Sequence, residues 1–199
     1  LTLYAFSTEN WSRPNEEVGA LFKLLHKFMI RESKRLIKNK VCFRVIGDVS
    51  KLASQTQTLI RELEETTKDF DGLKLTFCFS YGARNEMVYA VNKFIAENPG
   101  KEISPADIEK SLMRPETGDV DLLIRTGGEQ RVSNFLLWQI AYAELCFTPT
   151  KWPDFTPSEF HSILASVSKR ERRFGGLSST ADKNINRSAP TLEVQSLHV

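Results

Sequence analysis

The feature that most constrains this chain is a repeated switch of hydrophobic period. In "LTLYA" at the start, Leu1, Leu3 and Ala5 alternate with Thr2 and Tyr4, the period of a strand. Behind Pro14, Glu16 and Glu17, a sound helix start, Val18, Leu21, Phe22, Leu25, Phe28 and Met29 then recur at helical spacing. The switch repeats. Strands are expected at 41–48, 73–82, 119–126 and 144–148, and helices at 17–36, 50–70, 85–97, 133–143 and 156–174. Ser104, Pro105 and Asp107 open one more short helix that ends near Met113, and Thr156, Pro157 and Glu159 cap the last one. Alternation of this kind predicts a single-domain α/β fold, a mostly parallel central sheet with helices on both faces. In such sheets ligands sit beyond the carboxyl ends of the strands. "STENWSR" (7–13), "GD" (47–48), "SYGAR" (80–84) and "RTGGEQR" (125–131) should therefore share one rim.

With 199 residues, 41% of them hydrophobic and 26% charged, the chain is long enough to bury one full core. A formal net charge of +2 argues against a general nucleic-acid surface and leaves room for a local cluster that grips phosphate. Cys42, Cys78 and Cys146 lie far apart in apolar runs and read as reduced core residues. No stretch is long and apolar enough to cross a bilayer. His26, His161 and His198 show no ligand spacing and read as surface residues. From about Leu177 the polar, Ser- and Asn-rich sequence is expected to be a disordered tail, which leaves 1–176 as the domain.

The densest chemistry lies in "DLLIRTGGEQRVSNF". Arg125 ends a strand, Gly127 and Gly128 allow backbone N–H groups to approach a ligand, and Arg131 and Ser133 stand at the mouth of the expected 133–143 helix. Guanidinium forks match phosphate oxygens, so this segment reads as a diphosphate cradle; a solvated strand-to-helix turn is the plainer alternative. Glu144 is a lone carboxylate in an apolar stretch and must meet a cation, either an Arg or a hard metal such as Mg²⁺. In "STENWSR", Ser7, Asn10 and Trp11 can position an uncharged substrate edge and Arg13 can add a phosphate contact, or the loop is simply capped with Trp11 plugging the core.

Taken together, "LTLYAFSTENWSRP", the "GD" after a strand, "SYGAR", "DLLIRTGGEQRVSNFLLWQIAYAEL", "WPDF" and "RERRFGG" resemble the cis-prenyltransferases of the undecaprenyl diphosphate synthase type, from residue 1 to about Gly176. The resemblance implies a homodimeric α/β enzyme that uses Mg²⁺ to condense isopentenyl diphosphate repeatedly onto an allylic diphosphate, forming Z double bonds. By the same resemblance, Arg125, Arg131, Val132 and Ser133 hold isopentenyl diphosphate and Glu144 is a Mg²⁺ ligand. Ser7, Thr8, Glu9, Trp11 and Arg13 contact substrate, and Asn10 handles a proton. Arg173 and Gly175, with Phe174, are implied to reach across the dimer toward the partner's diphosphate. The lipid product offers a route to peripheral membrane association.

Gln130 stands where bacterial members often carry His, and Ser80 and Ala83 resemble the plant and cyanobacterial branch, which points to plastid or cytoplasm. Members of the family begin with a strand followed by D-G-N-x-R-W, whose Asp binds Mg²⁺. That motif is not among these 199 residues, so the chain is expected to lack its first strand and Asp loop, to leave a gap in the sheet and to be inactive alone. Leu21, Leu24 and Leu25 are then read as lining a tunnel for the growing product. A non-catalytic subunit of a heteromeric prenyltransferase is the rival reading, although the chain keeps "STENWSR", "RTGGEQR" and Glu144. A diphosphate-cleaving phosphatase would need a nucleophile pair that is not evident.

Overall fold

A computed structural model describes residues 1–170. Strand β1 (Thr2–Ser7) leads through a 3₁₀ turn at Thr8–Ser12 into α1 (Asn15–Lys38). β2 (Cys42–Ile46), α2 (Ser54–Thr67), β3 (Lys74–Tyr81), α3 (Ala83–Glu97) and α4 (Pro105–Ser111) follow. β4 (Leu122–Arg125), β5 (Glu144–Phe147) and α5 (Pro157–Val167) complete the order. The α/β alternation is thus the one the periodicity predicts. Each short helix starts where its capping residues stand: Ser104 Oγ accepts from the Asp107 N–H, and Thr156 Oγ1 from the Glu159 N–H.

Every strand pair is parallel, and hydrogen bonding divides the strands into two groups, β1-β3-β2 and β4-β5. Parallel pairing throughout aligns the carboxyl ends of the strands within each group, which is what places the loops of interest together. β3 is central and buried along most of its length, as a strand covered on both faces must be. One core cluster joins Phe6, Phe43, Leu75 and Phe79 to Val18 and Met29 of α1 and to Ile60 and Leu63 of α2. A second joins Ile46, Cys78, Tyr81 and Ala83 to Leu136. Cys42 and Cys78 are buried and Cys146 half-buried, all as free thiols. His26 is not a surface bystander: its Nδ1 lies 2.9 Å from Thr56 Oγ1 and links α1 to α2. Leu25 packs on the core, whereas Leu21 and Leu24 are exposed on α1.

The expected helix at 133–143 does not form. Ser133, Asn134 and Leu136 have φ of 54°, 62° and 45°, which a right-handed helix does not accept. The apolar periodicity is real but is satisfied differently, with Phe135, Leu136, Leu137 and Ile140 packed on the second core cluster. The backbone groups that a helix would pair internally are partly bonded to other elements: the Ala83 N–H donates to Asn134 O and the Val120 N–H to Gln139 O. The last helix also stops earlier than expected, at Val167.

Gly47, just after β2, marks the tightest backbone approach. Its φ is +104°, and a Cβ there would lie 2.0 Å from the Phe79 carbonyl oxygen. Gly47→Ala is therefore expected to lower unfolding stability by about 3 kcal/mol or more, through strain at positive φ and displacement of β3. Urea unfolding measures it, and a loss under about 1 kcal/mol would show that the backbone relaxes freely.

Candidate functional site

The loops after β1, β2 and β3 converge on a cleft of about 310 Å³ whose lining includes Thr8, Trp11, Asp48, Lys51, Ser80 and Asn85. Within "STENWSR" the short turn is fixed by its own side chains. The Ser7 N–H donates to Asn10 Oδ1 at 3.0 Å, Thr8 Oγ1 to Glu9 Oε2 at 3.0 Å and Ser12 Oγ to Glu9 O at 2.8 Å. Trp11 is held from two sides: its indole N–H donates to Ser80 Oγ at 2.8 Å, and Lys51 Nζ sits 4.7 Å from the ring centroid. The ring also packs edge-on against Phe6 and Phe22, so it both plugs the core and faces the cleft. Arg13 lies outside the cleft lining and pairs with Glu17 at 2.7 Å, an exposed pair of small energetic weight.

On the β4 side, Arg125 Nη1 donates to Ser133 Oγ at 2.8 Å and to the Arg131 carbonyl at 2.5 Å. The strand end and the start of the 133–140 turn are thereby drawn together, with half-buried Val132 between them. Arg131 forms an exposed ion pair with Glu129. Two expected parts of the cradle are corrected. Gly127 and Gly128 have φ of 89° and 81°, but their N–H groups donate to Thr150 O and Thr148 O and so are not free for a ligand. No helix N-terminus stands at Ser133, because 133–143 is not helical. What the segment offers an anion is the guanidinium groups of Arg125 and Arg131 and the Ser133 hydroxyl.

Glu144 opens β5, opposite Leu122, whereas Arg125 lies opposite Phe147 at the far end of the same ladder. An offset of three residues also points Arg125 and Glu144 to opposite faces, so one chain does not bring them together. The Glu144 side chain is 25% exposed and meets its required cation in Arg170, at 2.6 Å. Among the described residues no group of three or more His, Cys, Asp or Glu is placed to hold a metal ion. A single carboxylate fits Mg²⁺ only as one ligand of an ion completed by substrate phosphates and water. Arg173 and Gly175 lie outside the described residues.

Two residues that sequence reasoning missed organise the site. Asn134 Nδ2 donates to Glu9 Oε1 at 2.9 Å while its Oδ1 accepts from the Arg84 N–H at 3.0 Å. That amide is the leading cause that holds Glu9 below the usual carboxylate range, and burial followed by the Glu9 charge pushes Tyr4 up to about 12. Glu86 is fully buried, has no cation partner among the described residues, and accepts from Tyr81 Oη at 2.5 Å, Gln139 Nε2 at 3.0 Å and the Met113 N–H at 3.2 Å. Burial, then the hydrogen bond to Glu86, drives the Tyr81 phenol far upward, so it stays a donor. Neither contact has a local sequence signature, since the partners lie up to 125 residues apart.

Residues 1–175 match the family model described as "Putative undecaprenyl diphosphate synthase". An isoprenyl transferase from Fusobacterium nucleatum is 49% identical over 178 residues, covering 89% of this chain and 76% of that protein. A ditrans,polycis-undecaprenyl-diphosphate synthase, (2E,6E)-farnesyl-diphosphate specific, from Haemophilus influenzae is 46% identical over 181 residues, covering 88% and 76%. Among solved structures, a probable undecaprenyl diphosphate synthase from Campylobacter jejuni superposes with a TM-score of 0.82 at 40% identity, covering 88% of this chain and 82% of that one. Lavandulyl diphosphate synthase from Lavandula x intermedia, in complex with dimethylallyl diphosphate, gives 0.82 at 34% identity, covering 88% and 78%.

Proposed function

Because the chain belongs to the undecaprenyl diphosphate synthase family of prenyltransferases, we propose that it condenses isopentenyl diphosphate with an allylic diphosphate to give a Z-polyprenyl diphosphate. The observation that carries this reading is Arg125, held by Ser133 and the Arg131 carbonyl at the carboxyl end of β4, with the β1 loop tied to the same segment through Asn134. Arg125, Arg131 and Ser133 bind the diphosphate of isopentenyl diphosphate, with Val132 setting the spacing between them. Ser7, Thr8, Glu9, Trp11 and Arg13 order the β1 side, and the Trp11 ring gives the isopentenyl group an apolar wall.

In the reaction the allylic C–O bond breaks, the isopentenyl double bond attacks the allylic carbon and a proton leaves. The guanidinium groups of Arg125 and Arg131, already oriented, hold the isopentenyl diphosphate in place for that attack. Asn10 stands at the proton-handling position, its Oδ1 turned by the Ser7 N–H. Glu144 would hold Mg²⁺ as one of its ligands, and the ion would neutralise diphosphate charge in the site. The ladder sets Glu144 and Arg125 apart within a chain, which supports a site shared between the two chains of a homodimer. Arg173 and Gly175 act on the partner's diphosphate, and the apolar side of α1 with Leu21, Leu24 and Leu25 receives the growing chain. One catalytic domain over 1–176 accounts for all of these roles.

Supplied with the D-G-N-x-R-W segment of its family, the chain incubated with Mg²⁺, farnesyl diphosphate and labelled isopentenyl diphosphate is expected to form labelled polyprenyl diphosphate with new Z double bonds. Release of inorganic diphosphate without chain extension, or no turnover with any allylic primer, contradicts the reading.

A further inference from the structure

We infer that Asn134 is a positioning residue that locks the arginine segment after β4 to the β1 loop and to the amino end of α3, and thereby sets the grip on isopentenyl diphosphate. The inference rests on the proposed function, since it assigns to Asn134 the alignment of Ser133 and Arg125. Three bonds meet at this residue. Its carbonyl accepts from the Ala83 N–H at 2.9 Å, its Oδ1 accepts from the Arg84 N–H at 3.0 Å, and its Nδ2 donates to Glu9 Oε1 at 2.9 Å.

The first two occupy N–H groups that the opening turn of α3 leaves unpaired, so a residue about 50 positions away caps that helix in both backbone and side chain. The third bond fixes the β1 loop. Asn134 sits at φ 62°, where Asn is tolerated better than most residues, and next to Ser133, whose hydroxyl accepts from Arg125. An independent sign of the tight join is Gly82: a Cβ there would lie 2.6 Å from Asn134 Nδ2 and 2.7 Å from Thr8 Oγ1. Three segments from three strand ends are therefore in mutual contact at one amide, and a shift of that amide moves Ser133 and Arg125 with it.

Asn134→Gly tests this, because glycine keeps the positive φ and removes only the side-chain bonds. The expected result is a rise of roughly tenfold or more in KM for isopentenyl diphosphate, with KM for the allylic diphosphate within about twofold of wild type. A residue that served stability alone would lower the melting temperature and leave both KM values unchanged. Asn134→Asp is the second variant. It keeps the acceptor for the Arg84 N–H, so α3 stays capped, but sets a carboxylate against Glu9, and it is expected to raise the same KM. Unchanged KM for isopentenyl diphosphate in both variants, with wild type turning over, overturns the inference and leaves the proposed function standing. Absence of turnover by wild type overturns both.

Discussion

Arg125→Ala is expected to lower kcat/KM for isopentenyl diphosphate by about two to three orders of magnitude, because it removes the proposed diphosphate contact and also the tie between strand end and loop. Both of its hydrogen bonds, to Ser133 Oγ and to the Arg131 carbonyl, disappear with it. Arg125→Lys separates the two roles. A lysine keeps the charge but cannot reach Ser133, Arg131 and a phosphate with one planar fork, so a loss of about tenfold or more is expected to remain. Folding should be little affected, since the side chain is not part of either core cluster. Steady-state kinetics with the allylic substrate saturating, together with thermal melting, reads both effects. A variant with wild-type KM for isopentenyl diphosphate would remove Arg125 from the site.

Much of this arrangement was legible in the residues, for reasons that are local. Hydrophobic period and capping residues located the α/β order, and parallel strands necessarily put "STENWSR", "GD" and "SYGAR" on one rim. The miss at 133–143 has a definite cause. "SNFLLWQIAYA" has the apolar density of a buried helix, and nothing in it announces that Ser133, Asn134 and Leu136 adopt positive φ. Its conformation is decided by bonds to Ala83, Arg84 and Val120, which are tertiary. The same holds for the glycines: the motif alone makes Gly127 and Gly128 ligand-facing, but the carbonyls of Thr148 and Thr150, just beyond β5, claim their N–H groups. Glu144 was legible as a carboxylate that needs a cation, and Arg170 was not legible as that cation, because only folding brings them to 2.6 Å.

Glu144 carries the second large prediction. Glu144→Gln keeps the side-chain shape, loses the ion pair with Arg170 and removes the proposed oxygen ligand of Mg²⁺, so activity is expected to fall by about two orders of magnitude and the Mg²⁺ concentration for half-maximal rate to rise. Stability should change by under about 1 kcal/mol, because the pair is partly solvated. In the proposed homodimer, the ladder bears on which chain's diphosphate the carboxylate serves. Three residues separate the level of Glu144 from that of Arg125, roughly 10 Å along the strand, and the two side chains leave opposite faces. A Glu144 that acts on diphosphate held by Arg125 therefore acts in a partner chain. Co-assembly of Arg125→Ala with Glu144→Gln tests this without any structural probe. Random pairing makes half the dimers hybrids, and each hybrid rebuilds one of its two sites from an intact Arg125 and an intact Glu144, so about one quarter of wild-type activity should return from two inactive parents. If both residues served the same chain, no hybrid would contain an intact site. Activity that stays at the level of the parents, in a sample shown to contain hybrid dimers, excludes the shared site.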